Sequence, residues 1–475
     1  MPRIEERDAP DFTDSLHDRQ APALRLVRDV WDGTDALRAA GTTYLPRFQS
    51  EEASDYERRL SQAVLFNALN RTVRGLVGML FRKPPQLSAD TPEFISEHAQ
   101  NIDLAGRDLA TFARDAAESA WIDGHTLIHV EYPRVDASAV RSVVDERQMG
   151  VRPYWVHVLK QDVMSVRWEL DAGRPRIMQF VYAERRHEPE GTFGEREVVR
   201  YRVLRPDEFE VWQQDGEEWM LVDSGPQSLG EVPIVPIYAN RTGFMESEPP
   251  LHDLAHENIE HYQVRSEYRD AMRKANMPIP IFKGRLGRDG DVKAGPSYGI
   301  DLDKEGDAYY MEPKGSALAA ARQELQDSEA RMAALGLSML VRETRAAETA
   351  EAKRLDRAES DSALAASAHA LQAGLTEALR VHARWMGRSM EGEVEVNTDF
   401  LDQEIDPNTL KVLQAMVGSG DLSLETMWEI MRRGELLPET FDPDLEMERI
   451  RGMGPALLPA AFQLGENAPP SAAAG

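Results

Sequence analysis

Two histidines one helical turn apart have the spacing in this sequence that comes closest to a metal site. His252-Asp-Leu-Ala-His256 places two imidazoles on one helix face with an acid beside the first. In zinc hydrolases two such histidines bind the metal and a neighbouring glutamate acts as general base. Here the acid is aspartate, and nothing specifies a third ligand. A polar helix surface is the expected reading, and a metal-dependent hydrolase using His252 and His256 is the alternative.

A second histidine pair, His125 and His129, flanks Leu127 in a predicted strand and therefore lies on one face of it. The two imidazoles could form a pH-sensitive pair, although buried histidines with satisfied hydrogen bonds are the commoner outcome. Two carboxylate pairs could bind a divalent cation, but neither belongs to an EF-hand loop, and turn or cap chemistry also explains them. These pairs are Asp301 with Asp303 and Asp442 with Asp444.

Several reaction classes lack the residues that they require. The chain has no cysteine, which excludes disulfides and a thiolate nucleophile. No G-x-S-x-G string positions a nucleophilic serine, and no G-x-x-x-x-G-K-[ST] string offers a phosphate cradle. We therefore expect no catalytic residue, no cofactor and no bound metal, so that the protein is not an enzyme.

The charge of the chain limits how it can contact nucleic acid. Acidic residues outnumber basic ones by 82 to 55 among 475 residues, and the formal net charge is −27. Wrapping DNA requires clustered Lys and Arg, so any DNA contact must be local or weak. Aromatic residues of the middle region could stack bases, but their alternation favours a sheet core, and a basic groove is missing. This aromatic set is Tyr154, Trp155, Trp168, Phe180, Tyr182 and Tyr201.

Helices are predicted in the first quarter of the chain. Residues 15–50 form a weak helical region that Pro22 and Pro46 break. Ser54 and Glu57 make a capping box that begins a longer helix, which ends before Pro84. Another helix is predicted over 103–122.

A sheet region and then long helices follow. Alternating apolar and polar residues predict a mostly antiparallel sheet over 123–240, with a hairpin turn at 214–216. Helices over 251–275 and 316–340, each about 37 Å long, bracket short strands at 279–283 and 307–311. This order suggests a stalk with a knob at its tip. Such a stalk disfavours the alternative that the protein is a monomeric adaptor. No segment reaches the roughly 20 apolar residues of a membrane span, and the N-terminus lacks the apolar core of a signal peptide.

The string YERRLSQAVLFNALNRTVRGLVGMLFRKPP at 56–85 resembles the N-terminal signature of portal proteins (head-to-tail connectors) of long-tailed bacteriophages. The element order over 250–340 is similar to the stem helix, clip and returning stem helix of that family. The resemblance implies an α+β portal fold with a helix-and-sheet wing, a two-helix stem, a small α/β clip and a helical C-terminal crown. It divides the chain into a partly disordered N-terminal segment (1–50), wing (51–249), stem helix (250–276), clip (277–314), second stem helix (315–340), tunnel loop with long helix and return to the wing (341–405), crown (406–455) and disordered tail (456–475).

The resemblance also implies a structural role. Portal subunits form a ring, of twelve copies in the virion, at one capsid vertex, through which double-stranded DNA is packaged and ejected. The ring would be assembled in the host bacterial cytoplasm. The implied partners are the large terminase subunit, which hydrolyses ATP, a head–tail adaptor protein, the major capsid and scaffolding proteins, and DNA that passes without sequence specificity.

Two groups of basic residues acquire candidate roles from this layout. The first would lie in the clip as a docking surface, although a mobile surface turn explains it equally well. The second would contact DNA near the tunnel, although ion pairing on a solvated helix face with Glu348, Glu351 and Asp356 is the alternative. The clip group is Lys283, Arg285, Arg288 and Lys293, and the tunnel group is Arg342, Arg345, Lys353 and Arg354.

Overall fold

A computed structural model describes residues 9–133, 151–216, 218–275, 279–283, 307–311, 316–337, 350–398, 407–433, 436–437 and 441–452. The chain divides into two compact units, 1–398 and 399–475. Both α-helices and β-strands make up the first unit, so the predicted α+β class is confirmed. No helix in the described ranges is both long and apolar enough to cross a bilayer.

The helices of the first unit fall before, between and after its sheets. They are α1 (Ser15–Asp32), α2 (Thr34–Ala40), α3 (Ala53–Gln62), α4 (Ala68–Leu80), α5 (Glu93–Ala99), α6 (Leu109–Asp123), α7 (His252–Ala275), α8 (Ser316–Met332) and α9 (Ala350–Trp385). The strands are β1 (Gln86–Leu87), β2 (His125–Glu131), β3 (Tyr154–Val158), β4 (Val163–Asp171), β5 (Arg174–Glu190), β6 (Gly194–Leu204), β7 (Glu208–Asp215), β8 (Glu218–Pro226), β9 (Ile234–Tyr238), β10 (Arg241–Gly243), β11 (Glu246–Ser247), β12 (Ile279–Lys283), β13 (Asp307–Met311) and β14 (Val394–Glu395).

The predicted break of the first helix at Pro22 is wrong. Pro22 lies inside α1, which continues to Asp32. Proline removes one hydrogen bond of the helix. The apolar stripe of Leu24, Val27 and Val30 is nevertheless buried. Burial of that stripe therefore outweighs the lost bond, as tertiary packing commonly outweighs local propensity.

The single long helix predicted from Ser54 is also wrong, because α3 ends and α4 begins within it. Ser54 does not cap α3, whose N-cap residue Glu52 makes no side-chain cap bond. In the break, the Leu65 amide donates to Thr34 Oγ1 at 3.2 Å. Asn67 donates from Nδ2 to the Val30 carbonyl at 2.8 Å. Hydrogen bonds to distant residues thus satisfy the interrupted backbone, as buried backbone groups require.

The helix predicted over 103–122 begins six residues later than expected. Asp108 caps α6 by accepting a hydrogen bond from the Thr111 amide at 2.8 Å. Asp103 instead forms a turn, in which its carboxylate accepts from the amides of Ala105 at 2.8 Å and Arg107 at 3.1 Å. Both aspartates are good cap residues, and the sequence alone did not distinguish them.

The predicted antiparallel sheet region is confirmed, and it forms two sheets. One has the strand order β3-β2-β9, and the other runs β4-β5-β6-β7-β8. Every pairing within them is antiparallel. The predicted hairpin turn joins β7 to β8, which pair from Asp215 and Glu218 onward.

The core of the sheet region lies between the two sheets. Leu127 of β2 packs with residues of the five-stranded sheet, among them Phe180, Tyr182 and Leu204. The opposite side of the three-stranded sheet contacts helices α6 and α9. There Phe112 of α6 meets the ring of Trp155 at a centroid distance of 5.3 Å. Strand β2 is buried on both faces, as this three-layer arrangement requires.

After the sheets, the chain forms a helical hairpin. Helix α7 follows its prediction closely, and the predicted strands at 279–283 and 307–311 pair as β12 and β13. Helix α8 ends at Met332, earlier than the predicted end at 340, and a π-helical turn follows at Ala333–Leu337. Residues 338–340 lie outside the described ranges.

The second unit contains three helices in its described part. They are α10 (Pro407–Ser419), α11 (Leu424–Arg433) and α12 (Pro443–Gly452). The ring of Trp428 on α11 contacts Phe441 at a centroid distance of 5.4 Å. Before α12, the Asp442 carboxylate accepts from the amides of Asp444 and Leu445 at 2.9 and 3.2 Å. This aspartate pair therefore has cap chemistry, whereas Asp301 and Asp303 lie outside the described residues.

Candidate functional site

Helices α7 and α8 pack against each other in antiparallel directions. Arg331 of α8 lies 3.0 Å from Glu257 of α7 in an ion pair, whereas Glu329 lies 3.5 Å from His261. Residues further along α7 therefore pair with residues earlier in α8. At 1.5 Å per residue, the 24 residues of α7 extend over about 36 Å. The β12–β13 ribbon follows the end of α7 and precedes α8.

One end of this hairpin is buried in the first unit, and the other is not. Leu254, Asn258 and Tyr262 of α7 are fully buried. After Ser266 no side chain described in α7 is buried, and none described in α8 before Ser328 is buried. The outer part of the hairpin therefore projects, and its surface mixes charged side chains with alanine, leucine and methionine. Such a helix pair needs either solvent or another protein surface to complete its packing.

Asn258 anchors the buried end. Its Oδ1 accepts from the Leu69 amide at 3.1 Å, and its Nδ2 donates to the Phe66 carbonyl at 2.9 Å and to Met332 Sδ at 2.8 Å. The Leu69 amide is one of the first amides of α4, which have no partner inside their own helix. Asn258 thus caps α4 from a distance and ties it to both helices of the hairpin.

Gly336 brings the π-helical turn unusually close to α4 and α7. A Cβ atom at this position would lie 2.6 Å from Thr72 Oγ1 and 2.7 Å from Leu254 Cδ2. Any larger residue would force these elements apart. Together with Asn258, this close approach fixes the base of the hairpin on the body of the first unit.

At the outer end, the structure describes one of the four predicted clip residues. Lys283 on β12 is exposed, and its Nζ lies 5.3 Å from the ring centroid of Tyr309 on β13, a cation–π geometry. The other three, Arg285, Arg288 and Lys293, lie outside the described residues. Their predicted docking role stays a prediction.

The predicted tunnel contacts lie largely outside the described part of the chain. Arg342 and Arg345 precede α9 in undescribed sequence. Lys353 and Arg354 belong to the first turns of α9, where only the backbone is described. Their role as DNA contacts also stays a prediction.

The histidine pair at the start of α7 is present as a ring contact. The His252 and His256 rings lie 4.6 Å apart at nearly a right angle. Burial lowers the pKa of His252, and the neighbouring His256 lowers it further. Within the described ranges, no three His, Asp or Glu side chains gather closely enough to hold a metal ion.

The second histidine pair is buried and hydrogen-bonded. His125 Nδ1 lies 2.6 Å from Ser247 Oγ, and His129 Nδ1 lies 3.0 Å from the hydroxyl of Tyr182. Burial lowers the pKa of His125 to about 3 and that of His129 to about 4. Both imidazoles are therefore neutral around pH 7, and neither titrates near it.

A buried lysine beside His125 was not anticipated from the sequence. Lys160 donates from Nζ to the carbonyl and hydroxyl of Ser247, both at 2.9 Å, and burial lowers its pKa to about 8. The nearby Asp123 side chain pairs with Arg28 of α1. This cluster locks α1, β2 and β11 together. Lys160 lies in a polar stretch, and nothing local in the sequence marks it as buried.

The aromatic set divides between the core and the surface. Trp155, Phe180 and Tyr182 are buried, so the predicted sheet core is confirmed for them, while Tyr154 and Tyr201 are partly buried. The prediction is wrong for Trp168, which is 45% exposed and contacts Phe244 edge-on at 5.2 Å.

Comparisons with known proteins complete these observations. Residues 250–386, less than a third of the chain, match a family model described as a domain of unknown function, DUF4055. No curated protein matches the sequence significantly. The matched range covers the helical hairpin and all of α9.

Solved structures from gene transfer agent particles are similar to the chain at low identity. One chain from the neck of a native particle, computed with C12 symmetry, is 13% identical and has a TM-score of 0.37, with 77% of this chain and 89% of that chain covered. A neck chain of an empty particle, computed with C6 symmetry, gives 13% identity and a TM-score of 0.37 at 78% and 90% coverage. A chain of the native virion is 12% identical and has a TM-score of 0.36, with 80% of this chain and 93% of that chain covered. Likeness at these TM-scores does not by itself establish a shared fold.

Proposed function

We propose that this chain is a structural subunit of a tailed-phage-like particle and that it serves as a portal protein. Copies of it form a ring at one capsid vertex, through which double-stranded DNA is packaged and ejected. The large terminase subunit docks during packaging, a head–tail adaptor docks later, and the capsid and scaffolding proteins surround the ring. The chain itself has no catalytic residue in this proposal.

The observation that carries the proposal is the helical hairpin α7–α8. It is anchored at its base by Asn258 and Gly336, while its outer part buries no described side chain. Two helices with unburied outer parts and a ribbon at the tip gain little in a monomer. In a ring, neighbouring hairpins cover one another and form a stem. The portal-like string at 56–85 supports the same proposal, because it includes α4, on which the hairpin is anchored.

The charge of the chain is consistent with a conduit. With a formal net charge of −27 per copy, much of a channel wall should repel phosphate. A sliding duplex needs weak contacts without fixed register, because each tight phosphate contact would slow it. The tunnel and clip residues are the proposed exceptions, where local positive charge meets DNA or a docking protein.

The test is the native mass of the purified full chain, measured by light scattering on a sizing column with electron micrographs of the same peak. Twelve copies of 53.4 kDa give about 641 kDa, and we expect ring-shaped particles with a central hole at or near that mass. A stable monomer across salt and protein concentration would overturn the proposal. Metal analysis of that monomer would then test the hydrolase alternative through His252 and His256.

A further inference from the structure

A pocket between helices α3 and α7 is lined by arginines, although the chain as a whole is acidic. The two helices pack against each other. The chain carries 82 acidic and 55 basic residues, whereas the charged residues lining this pocket are four arginines and one aspartate. We call it the arginine pocket. Its polar lining includes Arg58 and Arg59 of α3 and Ser266, Arg269, Asp270 and Arg273 of α7.

The α7 wall of the pocket continues the helix face that anchors the hairpin. Asn258 and Tyr262 lie on the buried side of α7. Ser266, Arg269 and Arg273 follow them at steps of three or four residues, so they lie on the same side of the helix. The empty space of the pocket, including the part open to solvent, is about 270 Å³, and its enclosed part is about 10 Å³. The enclosed part holds one water molecule at most, so a larger group must enter from the open side.

Ser266 supplies a buried hydroxyl without a hydrogen-bond partner. The residue is 4% exposed, and its Oγ makes no hydrogen bond with any residue that the structure describes. A buried polar group in this state is costly, and each such group in a native protein calls for an explanation. Because Ser266 lines the arginine pocket, a group bound there can accept the missing hydrogen bond.

No carboxylate joins the arginines of the two walls. Arg58 pairs with Asp55, and Arg273 pairs with Asp270, each three residues away on its own helix. Partly exposed pairs of this kind contribute little to stability. No ion pair between described side chains runs from α3 to α7. The bridge between the two positively charged walls is therefore left for a bound anion.

Arg269 carries charge that the chain does not neutralise. Its Nη1 donates to the Gln62 carbonyl at the end of α3 at 2.9 Å, but it forms no ion pair with a described residue. Arg59 differs, because its guanidinium donates to both carboxylate oxygens of Glu51 at 2.8 Å and both side chains are buried. A guanidinium has five N–H donors. Arg269 therefore keeps donors for a ligand after its bond to α3.

We propose that the arginine pocket binds a phosphate group. Arg58, Arg269 and Arg273 donate to its oxygen atoms, and the Ser266 hydroxyl adds a further donor. The oxygen atoms of a phosphate group point in several directions and can accept from both walls at once, whereas a planar carboxylate is matched by a single arginine. Inorganic phosphate and the DNA backbone share this chemistry. One chain forms the whole pocket, so the inference goes beyond the portal proposal and does not depend on a ring.

The first experiment titrates inorganic phosphate into the purified full chain at constant ionic strength, with chloride as the matched anion. Thermal unfolding and the heat of binding are recorded. A ligand that binds only the folded chain raises the unfolding temperature, and we expect this of phosphate but not of chloride. Arg269→Gln should weaken phosphate binding roughly tenfold or more, as the loss of a charge-assisted hydrogen bond does. Arg322→Gln, the same charge change at an exposed residue of α8, is the control and should bind phosphate like the parent.

Ser266→Ala separates phosphate binding from folding. Removing a buried hydroxyl that has no partner should leave the stability of the phosphate-free chain unchanged or raised, while phosphate binds more weakly. A loss of stability without phosphate would show that the hydroxyl has a partner inside the chain and would contradict its role as a ligand. If phosphate stabilises the parent no more than chloride does, the pocket holds water alone and the inference is wrong. It is equally wrong if Arg269→Gln and Ser266→Ala both bind phosphate like the parent.

A short double-stranded oligonucleotide distinguishes the two sources of the phosphate group. If it displaces inorganic phosphate, and its own binding weakens in Arg269→Gln but not in Arg322→Gln, the pocket takes a phosphate of the DNA backbone. If phosphate binds and the oligonucleotide does not compete, the ligand is free phosphate. If phosphate does not bind and Arg269→Gln instead prevents assembly, the pocket receives a carboxylate of a neighbouring copy, and the phosphate inference is overturned. A chain that binds phosphate but never forms rings would refute the portal proposal alone.

Discussion

Asn258 offers the sharpest test of how the hairpin is held. Replacing it with alanine removes the only described hydrogen-bond acceptor of the Leu69 amide, whereas the Phe66 carbonyl loses the Nδ2 donor but keeps the Ala68 amide at 2.9 Å. Leu69 is buried in the first turn of α4. A buried polar group left without a partner costs about 1–3 kcal/mol. We therefore expect Asn258→Ala to lower the free energy of unfolding by about 1–3 kcal/mol, the cost of the Leu69 amide left without its partner.

The loss should be concentrated at the start of α4. If losing the hydrogen bond to Asn258 costs about 3 kcal/mol at this site, the Leu69 amide should exchange its hydrogen roughly 100-fold faster. Hydrogen exchange followed by mass spectrometry on peptides spanning 66–72 measures this directly. Asn258→Asp keeps an acceptor for that amide and should slow the exchange again relative to alanine. His256→Ala, an exposed change on the same helix, is the control and should leave exchange unaltered.

The reasoning fails if Asn258→Ala leaves exchange over 66–72 at the parent rate. The Leu69 amide would then have another partner, and the anchor of the hairpin would have to be sought at Gly336 alone. Uniform acceleration throughout the first unit would also contradict it, because the argument places the lost bonds at one helix terminus.

Two further predictions concern packing and pH. Gly336→Ala should destabilise the chain by about 1–3 kcal/mol in urea unfolding, because its Cβ would overlap Thr72 and Leu254. Gly78→Ala on α4, where a Cβ meets nothing within 4 Å, should instead stabilise the chain by about 0.5–1 kcal/mol. If both substitutions changed the free energy of unfolding in the same direction, the close approach at Gly336 would be refuted. Burial lowers the pKa of His125 to about 3 and that of His129 to about 4. The stability that these neutral side chains contribute to the folded chain is therefore fully present above pH about 6.5, where unfolded histidine titrates. It is lost as the pH falls toward 4. Urea midpoints that do not fall from pH 7 to 4.5, or a His129→Gln chain with an undiminished pH slope, would contradict this.

The sequence predicted the elements whose pattern is strong and local. The alternation over 123–240 and the hairpin turn at 214–216 were sufficient to predict the antiparallel sheet region, although no strand was predicted at Ile234–Tyr238. Helix α7 was predicted within one residue, because an uninterrupted helical stretch lies between two prolines. The predictions that failed depend on distant partners. The break before α4 exists because Thr34 and Val30 offer hydrogen bonds there, and no local pattern reports such partners.

The candidate site was predictable only in outline. The paired helices and the short strands between them followed from the sequence, whereas the residue that anchors them did not. Leu254, Asn258 and Tyr262 are spaced four residues apart on one helix face, so an asparagine interrupts an apolar stripe. A polar residue in such a stripe signals a buried hydrogen-bond partner. The exposure of Phe193 had no signal of this kind, because the register of β5 and β6 decides where these two strands turn.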